Sequence, residues 1–409
     1  MTHDDTRRRT PLTHVGGAIT TKGDADAAAL LAEALDNVTE VDHDELTHGF
    51  HTYAARMHPG IARSLVANFS STDETILDPF VGSGTVAIEA MIAGNRPVGV
   101  DLNPIALRIA SVKTELRREG GRERFVNIAN EIAERSETRV RSRVDARAPI
   151  PRDETQYWSG HTLKELAGLL EEIRAIDDDQ DRRAFEMVFS SIVVKVSRQR
   201  SDTSKHDASR DPSPDPTSQS SRGIRKGLPT EFFLRKALEL VERWEVLSEF
   251  APERAHRPLF YEGDARRLPR VLPPRVRADL IITSPPYGGT YDYVDHHARR
   301  YAWLKIDPRH FERNEVGARR RLKGADGLRT WDREVADLLG SMAAVRTHDR
   351  VPIIMLMGDG EVGNRRVPAD EQVNRLAPRA KLRLIASASQ ERPDFRGGDP
   401  RREHLLLLG

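Results

Sequence analysis

Seven short apolar stretches punctuate the chain, at residues 76–77, 98–100, 258–264, 278–283, 351–357, 382–389 and 404–408. Each is shorter than an ordinary helix, several are rich in Val and Ile, and Asp, Gly or Pro closes most of them, which predicts buried strands. Helical patterns lie between them. Residues 25–35 are rich in Ala and Leu, Pro59 opens a helix through residue 69, and another helix starts near Thr85. The rhythm changes from about residue 116 to 255, where helices with charged faces are expected at 125–135, 163–175, 181–196 and 232–250. Strands alternating with helices predict an α/β fold with a mostly parallel sheet. The last two strands leave no room for a crossover helix, so they are expected to form a hairpin that sets one strand antiparallel.

This pattern divides the chain. Residues 1–45 read as a tail, disordered to about 25 and then helical. Residues 46–115 and 256–409 form the α/β domain, and 116–255 a mainly helical insert. Within the insert, 203–222 is rich in Ser, Asp, Pro and Arg and nearly free of large apolar residues, which predicts a mobile loop. Its flanks are basic, at Arg198 and Arg200 and at Arg222, Arg225 and Lys226. It is either a solvated linker or a segment that orders on a phosphate backbone.

Composition changes this picture little. The 409 residues are 38% hydrophobic and 31% charged with a formal net charge of +1, so total charge does not point to a nucleic-acid partner. Cysteine is absent, which excludes disulfides, thiolate metal sites and cysteine nucleophiles. No apolar run is long enough to span a membrane, and the first residues lack the apolar stretch of a secretory signal, so a cytoplasmic protein is expected. His48, His51 and His58 lie in an aromatic loop without a tight His-x-x-x-His pair, and no metal site is expected there. Around Tyr291–Trp303 aromatic and basic residues interleave, and a basic cluster follows at Arg319, Arg320, Arg321 and Lys323. These could track a nucleic-acid backbone or form a packed, charged helix face.

Two stretches carry chemistry. Thr75-Ile-Leu-Asp-Pro-Phe-Val-Gly-Ser-Gly-Thr85 is a strand ending at Asp78, a glycine turn and a helix start. Gly82 and Gly84 allow the backbone to approach a ligand closely, and the helix start favours negative charge. Asp101 then ends the next strand about 20 residues on, the place of an acid that binds ribose hydroxyls. The second stretch, 278–289, leaves its strand at Thr283-Ser-Pro-Pro-Tyr287. Pro285 and Pro286 have no N–H for a sheet ladder, so the chain departs rigidly at the carboxyl edge where α/β folds bind ligands. Ser284, the carbonyls beside it and the Tyr287 ring could hold a planar group bearing an exocyclic amine.

Together, Asp78-Pro-Phe-Val-Gly-Ser-Gly-Thr85 and Ser284-Pro-Pro-Tyr287 resemble the S-adenosylmethionine-dependent amino-methyltransferases that modify cytosine N4 or adenine N6, mostly in DNA. The resemblance covers about 48–115 and 258–408. It implies a Rossmann-like class I methyltransferase fold with a seven-stranded, mostly parallel sheet, an antiparallel last strand and a helical insert. It implies Ser284, Pro285, Pro286 and Tyr287 as the catalytic motif. For the cofactor it implies Asp78, Phe80, Gly82, Gly84 and Thr85 in the loop, Asp101 with Asn103 at the ribose, Asp264 near the adenine, and Tyr53 in the loop that walls the methionine. The serine form looks most like cytosine-N4 enzymes, although many of those carry the two motifs in the opposite order. Adenine N6 in DNA, an RNA base such as guanine at N2, and a non-catalytic nucleic-acid-binding module are the alternatives. S-adenosylmethionine and DNA are the implied cofactor and partner.

Overall fold

A computed structural model describes residues 17–38, 42–142, 144, 146–198, 225–392 and 400–409. Ten strands are present among them: β1 (Ile19–Gly23), β2 (Thr75–Asp78), β3 (Arg96–Asp101), β4 (Leu259–Glu262), β5 (Leu280–Thr283), β6 (Ile353–Gly358), β7 (Gly360–Val362), β8 (Arg365–Val367), β9 (Leu384–Arg392) and β10 (Arg401–Leu408). All but β7 and β8 join one sheet in the order β1-β9-β10-β6-β5-β2-β3-β4. Neighbours from β6 to β4 run parallel, whereas β10 is antiparallel to both β6 and β9. The seven expected strands are therefore all here, with the expected reversed last strand.

Strand order reverses between β2 and β5, because β3 and β4 extend the sheet to one side and β6 to the other. Ligand crevices of open α/β sheets lie at the carboxyl ends beside such a reversal. Alternate residues of each strand feed opposite cores. Leu280, Ile282, Ile354 and Leu356 pack against α1 (Ala25–Asp36) and α2 (Pro59–Phe69). Ile281, Ile353 and Met355 pack on the other face, against the helix at Gly327–Ala344 and the helix at Ala369–Leu376. Each such side chain, fully buried, contributes about 2 kcal/mol of transfer free energy, so a one-residue slip in register would be heavily penalised.

Two further helices follow β2 and β3, α3 (Thr85–Ile92) and α4 (Pro104–Lys113). The insert supplies α5 (Glu119–Arg141), α6 (Gly160–Arg174), α7 (Asp179–Val193) and α8 (Leu228–Phe250). After β4 come α9 (Leu268–Val271), α10 (Tyr293–Leu304), α11 (Arg309–Asn314), α12 (Gly327–Ala344) and α13 (Ala369–Leu376). The four insert helices form where their apolar spacing placed them. Their core is continuous with the α/β domain, since Phe125, Phe185 and Trp244 share one cluster with Phe50, Ile105, Ile109 and Trp303.

One expectation is corrected. The polar tail was read as disordered to about residue 25, yet β1 pairs antiparallel with β9 from Ile19 to Gly23. Its outward face is polar and exposed, so it lacks the apolar signature of the other strands, and Ile19, Thr20 and Thr21 were the local sign of strand preference. The expected mobile loop at 203–222 lies outside the described residues.

Candidate active site

The Gly-rich turn is fixed from two strands. Thr283 Oγ1 at the end of β5 donates to Asp78 Oδ1 at 2.7 Å, and the Phe80 amide donates to the same oxygen at 3.0 Å. Burial pushes the Asp78 carboxyl up to about 7 despite these two bonds. The chain then turns through Gly84, whose φ of +87° is a left-handed conformation that suits glycine. A Cβ there would stand 3.0 Å from the Ala110 Cβ on α4, so the bare backbone also lets α3 and α4 approach. Asp101, ending β3, accepts the Gly82 amide at 2.9 Å and the Asn103 amide at 2.8 Å. Burial lifts its carboxyl to about 6 against the pull of those amides.

These groups line one cleft. Asp78, Phe80, Gly82, Thr85 and Asp101 face it from β2, β3 and the glycine turn, Asp264 from the end of β4, Ser284 and Pro286 from the end of β5, and Tyr53 from the loop before α2. Nine of the thirteen residues expected from the sequence therefore converge on one space. Asp264 is gripped by Arg266, which meets both its oxygens at 2.7–3.2 Å. Burial would raise this carboxyl, but the Arg266 bonds prevail and hold it below its ordinary value.

The other four stand behind the cleft. Gly84 is in the turn, and Pro285 is buried beneath it. Asn103 caps α4 by accepting the Ile105 amide at 3.1 Å, accepts the Tyr301 hydroxyl at 2.8 Å and donates to the Tyr53 hydroxyl at 3.3 Å. It thus positions Tyr53, which also stacks on His297 at 5.1 Å between centroids. Tyr287 packs its ring on Gly358, where a Cβ would come within 2.5 Å of the ring, and donates its hydroxyl to Glu403 Oε1 at 2.6 Å. A base stacking on Tyr287 would have to use the ring face turned away from Gly358.

A far wall was not anticipated. Tyr293, Phe311, Glu315 and Val316 close the cleft from the segment after the Ser-Pro-Pro-Tyr turn. Glu315 is buried, which pushes its carboxyl up to about 7, although Arg320 lies 2.7 Å from it and the Tyr293 amide donates to it. The arginine cluster explains how this wall is held. Arg319 donates to the carbonyls of Gly289 and Thr290, Arg320 pairs with Asp292 and Glu315, and Arg321 pairs with Glu334 at 3.0 Å. Gly289 N–H to Gly317 O at 2.9 Å completes the zipper. These three arginines thus brace the turn from within the protein. The only sequence sign of Glu315 was an acid set inside a basic run.

The loop histidines are structural. His48 Nε2 meets Glu89 Oε1 at 2.8 Å, His51 Nε2 meets Ser190 Oγ at 3.0 Å, and His58 Nδ1 accepts the Gly60 amide at the start of α2. Burial first, then nearby cations, push His48 and His51 well below their ordinary values, so both are neutral. No group of side chains able to hold a metal, and no helix long and apolar enough to cross a membrane, occurs among the described residues.

A family model described as DNA methylase matches residues 33–112, the segment that carries the glycine turn and Asp101. This segment is similar to DNA methylases. The chain is 25% identical over 294 residues to the type II methyltransferase M.BsoBI of Geobacillus stearothermophilus, a match covering 66% of this chain and 54% of that protein. It is 36% identical over 73 residues to the type II methyltransferase M.MvaI of Kocuria varians, covering 17% of this chain and 16% of that one. The first match thus spans about half the length of the relative. Among solved structures, an rRNA methyltransferase, aviRa of Streptomyces viridochromogenes, is similar at 12% identity and a TM-score of 0.36, with 92% and 96% of the two chains covered. That likeness is too slight to bear on substrate.

DNA methylases use S-adenosylmethionine, and the cleft fits it. Asp101 would offer acceptors to ribose hydroxyls, the α3 N-terminus would offer amide donors to a carboxylate, and Phe80, Pro286, Phe311 and Val316 would offer apolar surface to a purine.

Proposed function

We propose that the protein transfers a methyl group from S-adenosylmethionine to the exocyclic amine of a base in DNA, at cytosine N4. The observation that carries this reading is that Ser284 opens onto the same cleft as the glycine turn and Asp101. The names of the type II methyltransferase relatives agree with a DNA substrate. The serine in the catalytic turn favours cytosine.

The cofactor supplies an electrophilic methyl on a sulfonium. The work left to the protein is alignment and electrostatics. An aryl amine is a poor nucleophile because its lone pair is delocalised into the ring. Bonds from the amine to Ser284 Oγ and to a backbone carbonyl of the turn that lines the cleft would favour a pyramidal nitrogen with its lone pair aimed at the methyl. The same acceptors stabilise the positive charge that develops on nitrogen. Proton loss follows transfer, so Ser284 acts as an acceptor and orienting group rather than a strong base. A duplex target would leave its stack to reach the cleft.

The test is incubation with labelled S-adenosylmethionine and either in-vitro-amplified duplex DNA or RNA, followed by nucleoside mass spectrometry. N4-methylcytosine in DNA is expected. N6-methyladenine would overturn the base assignment, and label confined to RNA would overturn the substrate.

A further inference from the structure

The ribbon of β7 and β8 follows β6 at its carboxyl end, and β6 is the sheet neighbour of β5. It is knit to the segment just after the Ser-Pro-Pro-Tyr turn. The Glu361 amide donates to the Gly288 carbonyl at 2.8 Å, and a Cβ at Gly289 would stand 1.8 Å from the Glu361 carbonyl oxygen. A two-stranded ribbon is marginal by itself. This one is anchored by Val362 and Val367, buried in the cluster that holds Leu322, Trp331 and Val335. Ion pairs brace its base. Arg366 grips Asp359 Oδ2 at 2.7 and 2.9 Å, Asp359 Oδ1 meets His404 at 3.0 Å and accepts the Ala369 amide at 3.1 Å, and Arg401 meets Glu361 at 2.6 Å.

The far end of the ribbon is built differently. Val362 pairs with Arg365 across a two-residue loop, Gly363 and Asn364, whose φ values of +55° and +60° suit the tight turn of a twisted hairpin. Gly363, Asn364 and Arg365 are exposed. The exposed residues 323–326 lie alongside, since a Cβ on Gly363 would meet the Gly324 carbonyl oxygen at 3.7 Å. The acids of this rim already have partners, Glu361 in Arg401 and Asp326 in Arg329. Arg320, Arg321 and Arg366 each pair with a carboxylate. Arg365 and Lys323 form no ion pair among the described residues. A braced arm beside the turn that would hold the base thus presents two positive charges that the described protein does not neutralise.

We propose that the β7–β8 ribbon is a DNA-contacting arm, in which Arg365, with Lys323 on the neighbouring loop, neutralises backbone phosphates of the duplex beside the base held in the cleft. This rests on the methyltransferase reading above. A base held at Ser284 keeps its strand at the carboxyl edge of β5, and the arm is the next structure along that edge on the β6 side. Each cation that meets a phosphate releases a counterion, which favours binding most at low salt. The bracing at the base of the ribbon fixes its backbone before DNA arrives, so little ordering is left to oppose binding.

The experiment measures binding of the full chain to fluorescently labelled, unmethylated duplex DNA by anisotropy, with S-adenosylhomocysteine present so that no methyl is transferred. The salt is varied from about 50 to 200 mM, and the slope of log affinity against log salt is read. Arg365→Ala and Lys323→Ala are each expected to weaken binding and to make the slope shallower by about 0.9, and the double variant by about 1.8. Arg329→Ala removes an exposed arginine that already has a carboxylate, and its slope should match that of the unaltered protein. Affinity for S-adenosylmethionine, by calorimetry, should hold in all four. Partial unfolding would lower the active fraction without changing the slope, so the slope reads the contact itself. Unaltered slopes for Arg365→Ala and Lys323→Ala would overturn the proposal, as would an equal change in Arg329→Ala. An unaltered protein that binds the cofactor but neither binds nor methylates duplex DNA would overturn the methyltransferase reading itself, and this proposal with it.

Discussion

Burial and hydrogen bonding pull the Asp101 carboxyl in opposite directions, and burial prevails, leaving it at about 6. In the proposed ribose-binding role, only the ionised form could accept from both hydroxyls while holding the Gly82 and Asn103 amides. Affinity for S-adenosylmethionine is therefore expected to fall as pH drops through about 6, and Asp101→Asn should weaken binding and flatten the profile; calorimetry from pH 5 to 8 reads both. Asp78 makes a stability prediction. Its carboxyl is raised to about 7, so between the unfolded value near 4 and about 7 the folded state binds more protons than the unfolded one. Its contribution to stability falls as pH rises through that window and is level above it. The difference in unfolding free energy between the unaltered protein and Asp78→Asn should drift accordingly, by up to a few kcal/mol; a flat difference would contradict the burial argument. Asp78, Asp101 and Asp264 were legible because each follows a short apolar run at a predictable spacing. Glu315 and Glu403 were not, because each reaches the site from a distant segment that no local pattern ties to it.

At the scale of elements, the Gly84 turn joins the cofactor loop to two helices. Gly84→Ala would impose a side chain on a φ of +87° and press on Ala110 at 3.0 Å. A loss of about 1–2 kcal/mol is expected, read as a lowered urea midpoint together with weaker cofactor binding. Unchanged cofactor affinity would mean the turn tolerates a shift of α3 against α4. The central strands were legible since both of their faces are buried and they read as continuous apolar runs. β1 escaped notice because it is an exposed edge strand of threonines and a lysine. α12 was missed although Trp331, Val335, Leu338, Leu339 and Met342 recur at helical spacing, because the preceding arginine run suggested a nucleic-acid surface. Charge alone could not tell arginines that brace a loop from arginines that await a phosphate. Their acceptors, the carbonyls and carboxylates of 289–315, become visible only in three dimensions.

At the scale of the molecule, the insert is helical as its pattern indicated, but its core merges with that of the α/β domain. Phe125 stacks on Phe185 at 3.9 Å, Trp244 Nε1 donates to the Val112 carbonyl of α4 at 2.8 Å, and Trp303 of α10 closes the same cluster. One cooperative unfolding transition is expected by calorimetry. Two separated transitions would show that the insert folds by itself. The unity of the structure also bears on chemistry, since α10 and the segment to Val316, which form the far wall, are held between the insert and the sheet. The most direct test of the single cleft is Ser284→Ala, assayed on one sample for cofactor binding and for methyl incorporation into duplex DNA. Undiminished binding of S-adenosylmethionine with methyl transfer reduced about a hundredfold is the expected result. Equal loss of both, or unaltered transfer, would contradict the assignment of Ser284 to the methyl-accepting side of the site.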